Sequence, residues 1–373
     1  MRKIVIYLLI LVSSQKIYSQ GCCSGSSGSP IAGGTSQGVL SNRQVELSSN
    51  FQYINSNKFK TGDKDTVSLF DNFNSKYLYT KIAYGITKDF TISLESGYFF
   101  NKTQIGQNNI DTNSSSGIAD LIIFPRYDVY YRSSEKRKVE LTLGLGYKIP
   151  LGKHDDSTLI YTNPFTGQKY YTTMPPIVQS TNGSQDILFY AFFLRGFPAY
   201  KFKVFANALY IRKGWNSLGE KFGDYKSIGL FAGKTFFKSL GITCQVKGEI
   251  VDMMRNAENT DLLSLYNVDI KSTGNKKIMF IPQISYSYKS LSFFGSCELP
   301  LYEYMNNAQM STKAQINVGV SYRFFIKKPV CETPVDGNLY YCPMKCEGNK
   351  TYDKKGKCPD CGMDLIQKEA TKK

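Results

Sequence analysis

Between residues 138 and 149 apolar and polar side chains take turns. Val139, Leu141, Leu143, Leu145, Tyr147 and Ile149 alternate with Glu140, Thr142, Gly144, Gly146 and Lys148. A period of two places the two sets on opposite faces of a strand. The division recurs in Leu121, Ile123, Tyr127, Val129 and Tyr131 against Asp120, Arg126, Asp128 and Arg132, and in Ile316, Val318, Val320 and Tyr322 against Gln315, Asn317, Gly319 and Arg323. About twelve such segments of ten or more residues lie between positions 44 and 325. One face suits lipid and the other tolerates charge.

The connections carry an independent signal. Long polar stretches near 55–74, 101–115, 151–184, 214–223, 254–275 and 301–313 alternate with brief turns at 87–89, 133–135, near 200, 238–239 and 289–290. Outer-membrane barrels join tilted strands of about ten residues by short periplasmic turns and long external loops. The pattern predicts an all-β fold, a transmembrane antiparallel β-barrel of about twelve strands, with both termini periplasmic. A soluble Tyr-rich β-sandwich is the competing fold, but it requires neither an export signal nor such regular loop alternation.

The last segment ends at Phe324 and Phe325, which resembles the aromatic-terminated closing strand of bacterial outer-membrane proteins, although further residues follow here. Residues 75–325 also resemble the outer-membrane transporter family that includes barrels encoded with phenol meta-cleavage pathways. The similar pieces are Tyr84-Gly85-Ile86-Thr87 with Phe90-Thr91-Ile92, Ser116-Gly117-Ile118-Ala119-Asp120-Leu121, Lys148-Ile149-Pro150-Leu151-Gly152-Lys153 and Asn182-Gly183-Ser184-Gln185-Asp186. They imply a barrel and are silent on cargo.

The first twenty residues suggest the compartment. Arg2 and Lys3 precede an apolar run from Ile4 to Val12 and then small polar residues, the order of a secretory signal too short to span a bilayer as a helix. Ser19, Gln20 and Gly21 lack the Leu usual before a lipidated cysteine, so cleavage near Ser19 or Gln20 is expected over lipidation of Cys22. No later run of about eighteen apolar residues occurs.

Composition narrows the chemistry. The 373 residues carry 46 Lys plus Arg against 30 Asp plus Glu, a net charge of +16, and a single histidine, His154. Two-histidine zinc-protease and iron motifs are therefore excluded. No arrangement of nucleophile and base stands out, so no enzyme is expected. The excess positive charge is spread through loops without a clustered basic helix, which argues against nucleic acid and for the anionic groups of outer-membrane lipid as partners.

After Pro329 the texture changes to Lys, Gly and Cys. Cys342-Pro343-Met344-Lys345-Cys346 and Cys358-Pro359-Asp360-Cys361 give the spacing Cys-x3-Cys, eleven residues, Cys-x2-Cys. Two close thiolate pairs suit a tetrahedral metal, which would stabilise a segment too small to bury its own core. Two disulfides are the alternative in an oxidising compartment.

The segment from Asn338 to about Gln367 resembles the short heavy-metal-binding domain at the ends of copper-efflux ATPases and periplasmic copper-efflux adaptors. The resemblance rests on the Tyr341-Cys342-Pro343-Met344 opening and the Gly356-Lys357-Cys358-Pro359-Asp360-Cys361-Gly362-Met363-Asp364-Leu365 ending. Many relatives carry His-Pro after the first Met, where this chain has Lys345 and Cys346. The extra thiolate makes the set softer and favours Cu(I) or Zn(II). Met344 and Met363, each two residues beyond a cysteine, are either thioether ligands to Cu(I) or packing residues.

The other cysteines read differently. Cys22 and Cys23 lie in a Gly/Ser-rich stretch and offer a second metal handle, an intermolecular disulfide or no role. Cys244 and Cys297 fall on apolar strand faces, beside Ile242 and Val246 or Phe293 and Leu299. Cys331 matches no motif, and His154, beside Asp155 and Asp156, reads as a solvated loop residue. The expected organisation is a signal at 1–20, a Gly/Ser-rich segment at 21–43, the barrel at 44–326, a linker at 327–337, the metal-binding domain at 338–367 and a tail at 368–373. The expected function is heavy-metal transport, efflux or tolerance with copper or zinc, in company with periplasmic metal-handling partners. A porin-like channel for small organic solutes and a membrane-anchored metal buffer are the alternatives.

Overall fold

The computed structural model describes residues 38–109, 112–134, 137–237, 239–258, 269–312, 315–326, 340–348, 350–352 and 354–367. The expected signal, Cys22 and Cys23, the linker with Cys331 and the tail from 368 lie outside the described residues. No helix among the described residues is long and apolar enough to cross a membrane.

Twelve strands form one closed antiparallel sheet. They are β1 (Gln44–Ser56), β2 (Asn72–Gly85), β3 (Phe90–Ile105), β4 (Leu121–Ser133), β5 (Lys138–Ile149), β6 (Asp186–Phe197), β7 (Phe202–Arg212), β8 (Tyr225–Phe236), β9 (Leu240–Val251), β10 (Asn275–Tyr288), β11 (Leu291–Met310) and β12 (Gln315–Phe325). Each pairs with its neighbour in sequence, and β12 returns to β1 in a register running from Gln44 opposite Phe325 to Ile54 opposite Gln315. Closure leaves no open sheet edge, which a strand in hydrocarbon cannot tolerate.

The alternation sorts the side chains as the pattern predicts. On β5, Leu143, Leu145 and Tyr147 are exposed while Glu140, Thr142 and Lys148 are buried. Cys244 is exposed beside Ile242 and Val246, so it lies on the outer face. The strands nevertheless run further than the loop pattern implies. The stretch 301–313, polar enough to read as a loop, is strand through Met310, with Tyr302 and Tyr304 outward and Glu303 and Met305 buried. Its outer end stays paired because Phe59–Gly62, from the first long connection, adds an antiparallel strand beside it.

The interior is filled. Phe124, Tyr190, Phe192, Phe205, Leu209 and Phe231 form a buried apolar layer, with the rings of Phe205 and Phe231 stacked at 4.3 Å. Around it, inward charges of opposite sign pair. Glu46 meets Lys81 and Arg323, each at 2.6 Å; Lys247 meets Glu298 at 2.7 Å. Lys148 lies 3.0 Å from both Asp120 and Asp186, and Lys213 lies 2.9 Å from Asp186. Each of these charges is thus compensated at contact distance.

The third long connection is not simply external. Its end folds back into the barrel mouth and buries Val178, Ser180, Thr181 and Ser184. Lys102 donates to the Gln179 carbonyl at 2.6 Å, Ser115 donates to the Val178 carbonyl, and Thr181 donates to Asp120. The loop's buried carbonyls thus find donors on the barrel wall, and the buried Asp120 finds one on the loop.

These faces set an expected contrast. Leu143→Arg puts a guanidinium on the lipid side in the middle of its strand, at a cost of roughly 2–4 kcal/mol near the bilayer centre. Gln245→Arg faces the interior, because its register partners Phe231 and Ile281 are buried. Refolding into lipid vesicles should fall sharply for the first variant and little for the second. Equal yields would contradict the assigned faces.

Candidate metal centre

The four terminal cysteines are brought together by two tight turns and a small sheet. Tyr340–Tyr341 pairs antiparallel with both Thr351–Tyr352 and Ile366–Gln367. In the first turn the Lys345 amide donates to the Cys342 carbonyl at 2.9 Å, which brings Cys346 back beside Cys342. In the second the Gly362 amide donates to the Cys358 carbonyl at 2.8 Å and the Cys358 amide to the Met363 carbonyl at 2.7 Å. Gly362 takes φ 73°, a left-handed conformation that glycine adopts without steric penalty.

All four sulfurs lie within 4.8 Å of one another. Cys346 Sγ is 3.3 Å from Cys342 and 3.2 Å from Cys358, and Cys342 is 3.5 Å from Cys361. Each sulfur has neighbours from the other turn, whereas two disulfides would separate the set into two bonded pairs. Tetrahedral thiolates around zinc, with bonds of about 2.3 Å, stand about 3.8 Å apart. The donors present therefore fit one metal ion. Cys342 and Cys358 are buried, Cys346 and Cys361 partly so.

Hydrogen bonds from Cys346, Cys358 and Cys361 hold the Cys342 thiol well below the usual thiol range, while Cys346, bonded first to Cys342, is pushed up. The amide of Met344 also donates to Cys342, as those of Asp360 and Met363 do to Cys358 and Cys361. These amides favour thiolate, the form that binds metal.

Glu347 completes the surroundings. Its carboxylate accepts from Lys350 at 2.9 Å, from the Tyr352 hydroxyl, and from Cys358 Sγ at 3.6 Å. Burial raises the Tyr352 hydroxyl first, the bond to Glu347 second. Burial likewise raises Asp360, with the charges of Cys358 and Glu347 adding to it and Lys201 opposing.

The two methionines occupy different settings. Met344 packs against the cysteine cluster, and its Sδ accepts a hydrogen bond from Gln44 Nε2 at 2.9 Å. Met363 contributes its carbonyl and amide to the second turn. Gln44 is the first residue of β1, and a Cβ on Gly348 would lie 3.2 Å from Ser133 Oγ at the short β4–β5 turn. The cysteine cluster thus sits against the short-turn end of the barrel. Neither Glu347 nor Gln44 is signalled by spacing, since each acts through a contact that only the folded chain creates.

Residues 339–368 match the family described as "Heavy metal binding domain". This segment is similar to heavy-metal-binding domains. None of the curated proteins matches the chain. Among solved structures, an outer membrane channel from Pseudomonas putida F1 superposes with a TM-score of 0.58 at 10% identity, covering 78% of this chain and 99% of that one. That similarity shows the fold of the barrel to which the heavy-metal-binding domain is joined. The translocator domain of the autotransporter NalP from Neisseria meningitidis gives 0.41 at 12% identity, covering 75% and 88%. The toluene transporter TodX from Pseudomonas putida gives 0.38 at 11%, covering 83% and 98%.

The reduced full-length protein should take up one Zn(II) in the heavy-metal-binding domain with release of thiol protons, so affinity should fall as pH is lowered. Cys358→Ser should remove the tight site, whereas Glu347→Gln, which takes a carboxylate away from the Cys358 thiolate, should leave it in place. Competition against a chromophoric chelator measures both. Unchanged affinity in Cys358→Ser would count against four-thiolate coordination.

Proposed function

We propose that this chain is an outer-membrane barrel, both termini periplasmic, that handles copper or zinc in transport, efflux or tolerance through its terminal thiolate site. The observation that carries this reading is the convergence of Cys342, Cys346, Cys358 and Cys361 in a domain seated against the short-turn end of the barrel. Short turns belong to the periplasmic side of outer-membrane barrels. A thiolate set favours Cu(I) and Zn(II) over harder ions, and the Met344 and Met363 thioethers would add to it for Cu(I). Metal would be held where it enters or leaves the lumen, with periplasmic metal-handling proteins as exchange partners and outer-membrane lipid as the solvent.

A second reading has its own support. The apolar layer of Phe124, Phe192, Phe205 and Phe231 suits passage of small organic solutes better than of a bare cation. In that case the heavy-metal-binding domain serves storage or sensing.

Proteoliposomes loaded with a metal-sensitive dye separate the two. Metal transport predicts Zn(II) or Cu(I) flux in the full-length protein that is lost when Cys342 and Cys358 are replaced by serine. Flux unaffected by those changes, or solute flux without metal flux, would favour the solute channel. No flux of either kind, with tight metal binding retained, would leave a membrane-anchored buffer.

A further inference from the structure

At the end of the barrel away from the heavy-metal-binding domain, His154 is not a bare solvated residue. Its Nε2 lies 2.7 Å from Ser217 Oγ, tying the third long connection to the fourth. The ring lies on Gly183, where a Cβ would approach Cδ2 and Cγ within 2.4 Å, so the absent side chain makes the space the imidazole fills. With the proton on Nε2 donated to Ser217, Nδ1 keeps its lone pair, the usual way a partner sets the ligating nitrogen.

The same spot contains a small cavity of about 10 Å³, room for one water-sized occupant. It is lined by His154, Met174, Gln179, Thr181, Asn182 and Glu220. Met174 and Glu220 are 7% and 3% exposed. The Glu220 carboxylate accepts from Asn216 Nδ2 at 2.7 Å. Among the described residues no lysine or arginine is paired with it. A carboxylate so buried without a lysine or arginine is costly, and one hydrogen bond from Asn216 offsets only part of that cost. The cavity lining thus brings together His154, Met174 and Glu220, residue types that make a borderline-to-soft donor set.

We propose that His154, Met174 and Glu220 form a second metal site, for one Zn(II) or copper ion, at the long-loop end of the barrel. The ion supplies the charge that Glu220 lacks and pins the third and fourth connections together across the mouth. Its donors differ from the thiolate set, so the two ends of the barrel would hold metal with different softness, the imidazole-carboxylate end accepting Cu(II) as well.

The test uses the full-length chain with Cys342, Cys346, Cys358, Cys361, Cys22 and Cys23 all changed to serine, so that no thiolate site reports. Zn(II) and Cu(II) are titrated separately by calorimetry, with metal content checked after dialysis. One equivalent should remain bound, and both His154→Ala and Glu220→Gln should weaken it by more than about tenfold. Glu220→Gln keeps the shape and hydrogen-bonding capacity of the side chain, and unchanged heat-modifiable migration in electrophoresis would show that the barrel still folds. Ser217→Ala should reduce affinity less than either. No metal bound to this six-serine variant would overturn the proposal and leave a buried water, with the terminal thiolate site of the unsubstituted chain unaffected. Binding that survives both substitutions would overturn it equally.

Discussion

A strand in hydrocarbon has nowhere to put an unpaired amide or carbonyl, and the pairing of Gln44–Ile54 with Gln315–Phe325 meets that constraint for the whole sheet. Because the ring closes between the first and last strands, the start of β1 at Gln44 and the end of β12 at Phe325 lie on the same side. Gln44 opens β1 at that side, and the segment after β12 leads to the cysteines. The position of the heavy-metal-binding domain against Gln44 and Ser133 is therefore a consequence of barrel closure with an even number of strands.

Closure also fixes the parity of every strand and gathers polar side chains in a confined interior. The charges there cannot stand alone. Lys148 between Asp120 and Asp186, with Lys213 on the latter, anchors the long-loop end, and Glu46 between Lys81 and Arg323 anchors the other. Breaking a buried pair leaves an uncompensated charge, at a cost of about 3–5 kcal/mol. The returning third connection draws on the same acids, so the filled mouth and the ion pairs form one polar network around the aromatic layer.

The strands of this fold were legible because lipid outside and charge inside impose a period of two, as on β5 and β12. The end of β11 was not, because Glu303 and Asn306 read as loop residues; Glu303 is held in strand opposite Lys277 of β10, and the stretch from Met305 to Met310 gains the added pairing with Phe59–Gly62. In the metal centre the cysteines were legible from spacing alone, since two short turns leave few places for four sulfurs to go. Glu347, Gln44 and the cavity beside His154 were not, because their partners are separated along the sequence and meet through tertiary packing. The same holds for the return of residues 174–184 into the mouth, where a polar sequence reads as solvated until the buried acids that need it are in place.

The central claim is that the four thiols coordinate one metal ion in a domain set against the barrel. X-ray absorption at the zinc edge of the reduced full-length protein, loaded with one equivalent of Zn(II), tests it most directly. The account predicts a first shell of four sulfurs at about 2.3 Å. A shell dominated by oxygen or nitrogen, or zinc removed by a simple desalting step while the cysteines are found oxidised, would contradict it.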